Sequence, residues 1–452
     1  MEEFPGVTDL LGPSSADPDT SVVSWIDGKN TYIPANIDHF FERAFLQMNL
    51  TCPESLTLLR FLEQAGIRNH NGYFQASPSE EHETLLKLTN EYLTSALQDP
   101  ARWGEISPDQ VISHKILKYT VENCNTTFRD QIYPVEQLGG PHAMFVILMS
   151  DFAHVENMED VELYLRRLEQ SRMKFGLFTK EMARKRGLGV MPPKVCLEKI
   201  SRSIEGIVSN LKTADNPFIK SVEAKFTAAT KTPLPEEVRS RISIKIFEYV
   251  IPAYEDLKSE IDTCITETRT EAGVWALPDG DNFYKHCLKW QTTTDLTAEE
   301  VHQMGLTHVA TLLEGVQGVV EKLNEKGDMT LRASNTAEEN LKILGEDSKF
   351  LYEDTEEQRE ECIAEYVKLL GQISERVADW FNILPSSQCL VKPMPKAMGE
   401  GGAGACYFTG SLDLTRPGIF FANLTNIKSQ NKSQMRTLTA HEAVPGHHFQ
   451  VR

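Results

Sequence analysis

Three histidines and a glutamate stand together near the end of the chain, in Thr-Leu-Thr-Ala-His441-Glu442-Ala-Val-Pro445-Gly446-His447-His448-Phe-Gln450. Neutral imidazoles are zinc ligands, and a glutamate next to the first ligand is placed to act as base towards a water the metal acidifies. In the usual zinc helix the two histidines sit at i and i+4 and share one face. His441 and His447 are instead six apart, about 240° of rotation and ~9 Å of rise in a regular helix, so an unbroken helix cannot offer both to one ion. Pro445 and Gly446 supply the break: proline removes a helical N–H and crowds the carbonyl four residues back, and glycine tolerates unusual dihedrals. His441 and His447 are therefore the expected ligands of one zinc ion, and Glu442 the expected catalytic base. His448, about 10.5 Å from His441 along the axis, is the alternative ligand. The bland reading is a histidine-rich helix end with no metal.

The elements that must position this cluster change character near Leu384-Pro385. Beyond it, short runs rich in aromatic or β-branched residues at 389–391, 405–408 and 418–424 predict a small antiparallel sheet, followed by a helix from about Ser433. Upstream, helices dominate. Ser77-Pro78-Ser79-Glu80, Ser107-Pro108-Asp109-Gln110 and Thr297-Ala-Glu-Glu300 are capping boxes. Apolar residues from Val301 to Leu323 repeat at close to 3.6 and predict one stripe packed on a core. Helical patterns also cover 37–48, 54–65, 141–154, 159–186, 193–212, 235–269 and 355–381, with a kink expected at Pro252. The expected class is mainly α, a large multi-helix, cleft-containing fold with a small sheet before the metal-site helix. Its organisation is an irregular lead-in at 1–30, a helical domain at 31–384, and sheet plus metal helix at 385–452.

A formal net charge of -19 argues against nucleic-acid or anionic-membrane partners and leaves a peptide or small amide substrate. Eight cysteines, scattered singly, read as free thiols in a reducing compartment. The N-terminus has no basic and apolar leader and no apolar run approaches a bilayer span, so the expected location is cytoplasmic, or extracellular if a signal precedes this sequence. The glycines from Gly399 to Gly404 match a dinucleotide fingerprint only formally, since a Pro-rich segment precedes them and a strand follows. No Gly-x-Ser-x-Gly elbow is present. The remaining histidines, His154 among them, receive no role.

The motif His441-Glu-Ala-Val-Pro-Gly-His447-His448-x-Gln450 resembles the hallmark of the family catalogued as domain of unknown function 885, grouped with the HExxH zinc metallopeptidase clan. Tyr133-Pro-Val-Glu-Gln-Leu-Gly139, Tyr164-Leu-Arg-Arg-Leu168, Leu277-Pro-Asp-Gly280 and Gly410-Ser-Leu-Asp413-x-x-Arg416-Pro-Gly418 resemble its landmarks in order. The resemblance implies a helical zinc-peptidase-like fold that hydrolyses peptide bonds, with His441 and His447 as ligands of a single zinc and Glu442 as base. It also implies that 418–424 is an edge strand pairing with substrate, and that Asn423, Tyr407 and Arg416 are substrate-binding residues. Family members continue beyond the motif to an acidic third ligand that has no counterpart here. The expectation is thus a truncated chain or an upstream carboxylate in that place, and an inactive binding or regulatory protein is the alternative.

Overall fold

The computed structural model describes residues 36–451 apart from 51, 76–90, 92, 125–127, 329, 396–398 and 400–402. The lead-in at 1–30 and the capping box at Ser77 lie outside these. The chain forms two units, Met1–Ala272 with Ser411–Asp413, and Gly273–Gly410 with Leu414–Arg452.

The first unit is helical: α1 Ile37–Leu50, α2 Pro53–Leu59, α3 Pro108–Cys124, α4 Pro141–Ile147, α5 Met158–Glu169, α6 Ser171–Gly187, α7 Lys194–Leu211, α8 Pro217–Thr230, α9 Glu236–Lys245 and α10 Ile251–Glu267. Proline opens α2, α3, α4 and α8, where its missing N–H would have had no helical partner. The capping box at α3 forms as expected, with Ser107 N donating to Gln110 Oε1 (2.8 Å) and Gln110 N to Ser107 Oγ (3.2 Å). Pro252 has no N–H for the carbonyl of Glu248, and the helix relaxes into a π-turn at Ile246–Val250 immediately ahead of it. α10 packs along α6 and α7, and Phe175 meets Tyr254 at 4.6 Å between ring centres.

The second unit holds α11 Gly280–Thr292, α12 Ala298–Glu325, α13 Ala337–Glu346 and α14 Glu356–Val377. These are followed by β1 Cys389–Pro393, β2 Ala405–Phe408, β3 Gly418–Ala422, α15 Met435–Glu442 and α16 Gly446–Gln450. Cys362, Tyr366, Leu369, Leu370 and Val377 line one face of α14 and share a core with Phe420, Ala422 and Met435. The second unit begins at Gly273, and within it α14 lies with the sheet it covers.

The sheet differs from the antiparallel one expected. Its order is β1-β3-β2, with β1 parallel to β3 (Cys389↔Gly418) and β2 antiparallel to it (Ala405↔Ala422). β3 is the central strand and every one of its residues is buried, so Gly418–Ala422 cannot be the edge that receives a substrate. Its unalternating Gly-Ile-Phe-Phe-Ala run suits a strand covered on both faces. The stripe on α12 is a second correction. Its capping box is present, but Val320 alone is buried while Met304, Val309 and Leu312 face outward, because periodicity marks an apolar face without specifying what covers it.

Candidate metal centre

α15 ends where the sequence requires. Ala443 leaves the helical region (φ -101, ψ -106), the Val444-Pro445 peptide is cis, and α16 restarts with His448 N donating to Ala443 O at 3.1 Å. Glycine is obligatory at 446. A Cβ there would lie 1.8 Å from the carbonyl oxygen of His441 and 2.5 Å from that of Ala440.

This reversal carries His447 back to His441, their ring centres 4.8 Å apart at 78°. Zinc holds each imidazole nitrogen at about 2.0–2.1 Å in a tetrahedral arrangement, which sets two ligating rings ~5 Å apart at their centres. The pair therefore fits a shared ion. His447 Nδ1 lies 2.7 Å from Gln450 Oε1. Because that oxygen can only accept, the proton sits on Nδ1 and the lone pair on Nε2, the arrangement a metal ligand needs. Gln450 is thus an orienting partner of His447, a role the motif alone does not assign. A hydrogen-bonding residue three positions after a ligand on the same helix was the available signal.

Glu442 is buried, with no hydrogen bond to its carboxylate among the described residues. Burial pushes its carboxyl above the usual carboxylate range, and His441 and His447 pull it back in part. A carboxylate held readier to take a proton suits a general base.

The structure takes His448 away from the pair. It is buried, its Nε2 donates to Ser387 O (3.0 Å) and its Nδ1 accepts from the Tyr407 hydroxyl (2.8 Å), so both nitrogens are committed and it ties α16 to β2. Tyr407 serves that tie, and its hydroxyl occupies the space a Cβ on residue 418 would need, 2.1 Å away. Asn423 is a loop clamp: its Nδ2 donates to Gly399 O (3.0 Å) and Ala403 O (2.9 Å), and its Oδ1 accepts from Thr425 N (3.1 Å). Arg416 donates to Thr409 O (3.1 Å) across the β2–β3 connection. Beside Glu442, burial raises the Cys406 thiol to about 12, with the Glu442 charge adding in the same direction.

No third protein ligand joins His441 and His447 among the described residues. One other group there could hold a metal, namely His154, Glu156 and Asp160 in the first unit, whose ligand atoms lie within 4.8 Å of one another. Two guanidiniums already supply its positive charge. Arg60 approaches His154 Nδ1 at 2.6 Å and Arg68 approaches Asp160 at 3.1 Å. His154 receives no role from the sequence alone, although His154-x-Glu156 just before the Asn157 cap of α5 places all three groups at one helix start.

The family described as "Bacterial protein of unknown function (DUF885)" matches residues 61–452. The chain belongs to this family. Among solved structures it resembles "the putative lipoprotein from Colwellia psychrerythraea", with TM-score 0.72 and 24% identity over 95% of this chain and 72% of that one. It also resembles a "putative lipoprotein of unknown function" from Shewanella oneidensis, with TM-score 0.54 and 14% identity over 92% and 72%. At these identities the likeness is one of fold. No curated protein matches. Among the described residues no helix is long and apolar enough to cross a membrane.

Proposed function

We propose that this DUF885 chain carries the two-histidine, one-glutamate half of a zinc-dependent hydrolase that cleaves peptide or other amide bonds. The observation that carries the reading is the reversal at 443–446, which faces His441 and His447 at a spacing suited to one ion and leaves the buried Glu442 between them in sequence. His441 and His447 would hold the metal, with Gln450 fixing the tautomer of His447. When bound, zinc supplies Lewis-acid polarisation of a carbonyl and acidifies a water. Glu442 takes the proton of the attacking water on its carboxylate and passes it to the leaving amine. Substrate backbone would pair with β2, an edge strand that lies against α15, in the role first expected of 418–424. A catalytic zinc ordinarily has three protein ligands, so this reading draws one more from outside the described residues.

Two measurements on the purified protein test it: metal content, and hydrolysis of a peptide library with and without Glu442→Gln. Near-stoichiometric zinc and hydrolysis abolished in the variant are expected, and full activity in the variant sinks the mechanism. The rival is a binding or regulatory protein that keeps the fold without a working site. Zinc far below one equivalent, together with no hydrolysis, would select it. For location, seven of the eight cysteines are free thiols, which suits the cytoplasm, whereas both similar structures are called putative lipoproteins, which suits export. Protection of the protein from protease in intact cells separates the two.

A further inference from the structure

Three helices of the first unit each turn one face to a common space. On α4 and the π-turn that continues it, the lining residues are Pro141, Met144, Phe145, Leu148 and Phe152, spaced as one face of a helix. α2 adds Ser55 and Leu58, three apart, and α6 adds Lys174 and Phe178, four apart, again one face of each. Between them lies a cavity of about 260 Å³.

Its wall is aromatic and held in place from behind. Phe145 stacks on Phe74 (5.5 Å between ring centres, 30°) and tilts against Phe175 (5.3 Å), which in turn meets Tyr254. Rings packed on further rings have little freedom to collapse inward, so the space persists. The charged groups that line it among the described residues, Glu54 and Lys174, offset each other. Lys174 Nζ donates to Glu54 Oε1 (2.8 Å) and to Gln75 O (3.1 Å), and Glu54 Oε2 accepts from Gln75 N (2.8 Å). Burial pushes the Glu54 carboxyl up, but Lys174 outweighs it and holds the group below its usual range, so the two stay an ion pair. An ion entering the cavity would shed water beside a pair already engaged. An apolar cavity of about 150 Å³ takes up benzene, so the present one has room for about two fused rings. Aromatic guests also gain from offset and edge-on contacts with the surrounding rings.

We propose that this cavity is a binding site for an uncharged aromatic molecule of about two fused rings. The site is built entirely from the first unit, and its assignment does not depend on the hydrolase reading.

The test is equilibrium dialysis of the full chain against naphthalene, 2-naphthol and 2-naphthoate. Naphthalene and 2-naphthol should show saturable, near-stoichiometric uptake. 2-Naphthoate, the same ring system with a charge, should bind about tenfold more weakly or worse. Met144→Trp on α4 and Leu58→Phe on α2 each push a larger ring into the space and should weaken naphthalene by about tenfold or more, with circular dichroism unchanged. Because the two lie on different helices, the comparison survives if one of them fails to fold. Leu188→Trp, a change of the same kind at an exposed position of the first unit, should leave binding as it was. No saturable uptake, uptake that both filling variants leave intact, or 2-naphthoate bound as tightly as 2-naphthol overturns the proposal.

Discussion

Replacing Gly446 with alanine probes the joint on which the centre depends. The added Cβ would fall 1.8 Å from His441 O, 2.4 Å from His441 C and 2.5 Å from Ala440 O. All three are backbone atoms at the end of α15, so no rotamer change relieves the contact. Reaching an ordinary separation requires residue 446 to move by roughly 1.5 Å in an interior with little spare volume. Overpacking against backbone at such a site costs ~2–4 kcal/mol, measurable as a lower midpoint in urea unfolding of the metal-free protein. The same movement carries His447 off His441 by more than the ~0.5 Å a metal site tolerates. Zinc affinity, read by competition with a chromophoric chelator, should therefore fall at least tenfold beyond what the stability loss explains. Gly315→Ala is the control: it lies inside α12 with nothing within 4 Å of the new Cβ and should gain about 0.5–1 kcal/mol from helix propensity. An unchanged midpoint and an unchanged affinity in Gly446→Ala would refute the account of the reversal.

Other expectations follow from individual contacts. Tyr407→Phe leaves His448 Nδ1 buried without its donor and should cost ~1–2 kcal/mol in urea unfolding, with little further loss when His448→Leu is added to it. Asn423→Asp turns a donor into a carboxylate facing two carbonyls and should destabilise by roughly 3 kcal/mol at neutral pH, with partial recovery as the acid is protonated. His142 is buried, its Nδ1 without a partner, and burial lowers it to about 4. The unfolded chain therefore takes up a proton between pH 6.5 and 4 that the folded chain refuses, and stability present above pH 6.5 declines by up to roughly 3 kcal/mol as pH falls towards 4. His142→Leu should flatten that decline in urea titrations at stepped pH.

The outcome at each element follows from how local its determinants are. The capping boxes at Ser107 and Thr297 and the reversal at Pro445-Gly446 are set by residues within one turn of each other, and they stand where the sequence puts them. Likewise Pro252 disturbs its helix through its own missing N–H. The misjudged features need a partner distant in sequence. β3 becomes central because β1, which precedes it by some thirty residues, pairs with it in parallel, and only its lack of apolar–polar alternation hinted at burial on both faces. His447 and His448 differ because Ser387 O and the Tyr407 hydroxyl take both nitrogens of the His448 imidazole, whereas His447 meets Gln450 through Nδ1 alone. Helical rise and rotation narrow the ligand to two neighbours. What separates the two is a carbonyl sixty-one residues away, which holds the ring of His448 and not that of His447, so the difference between the neighbours is a property of the fold and not of the motif.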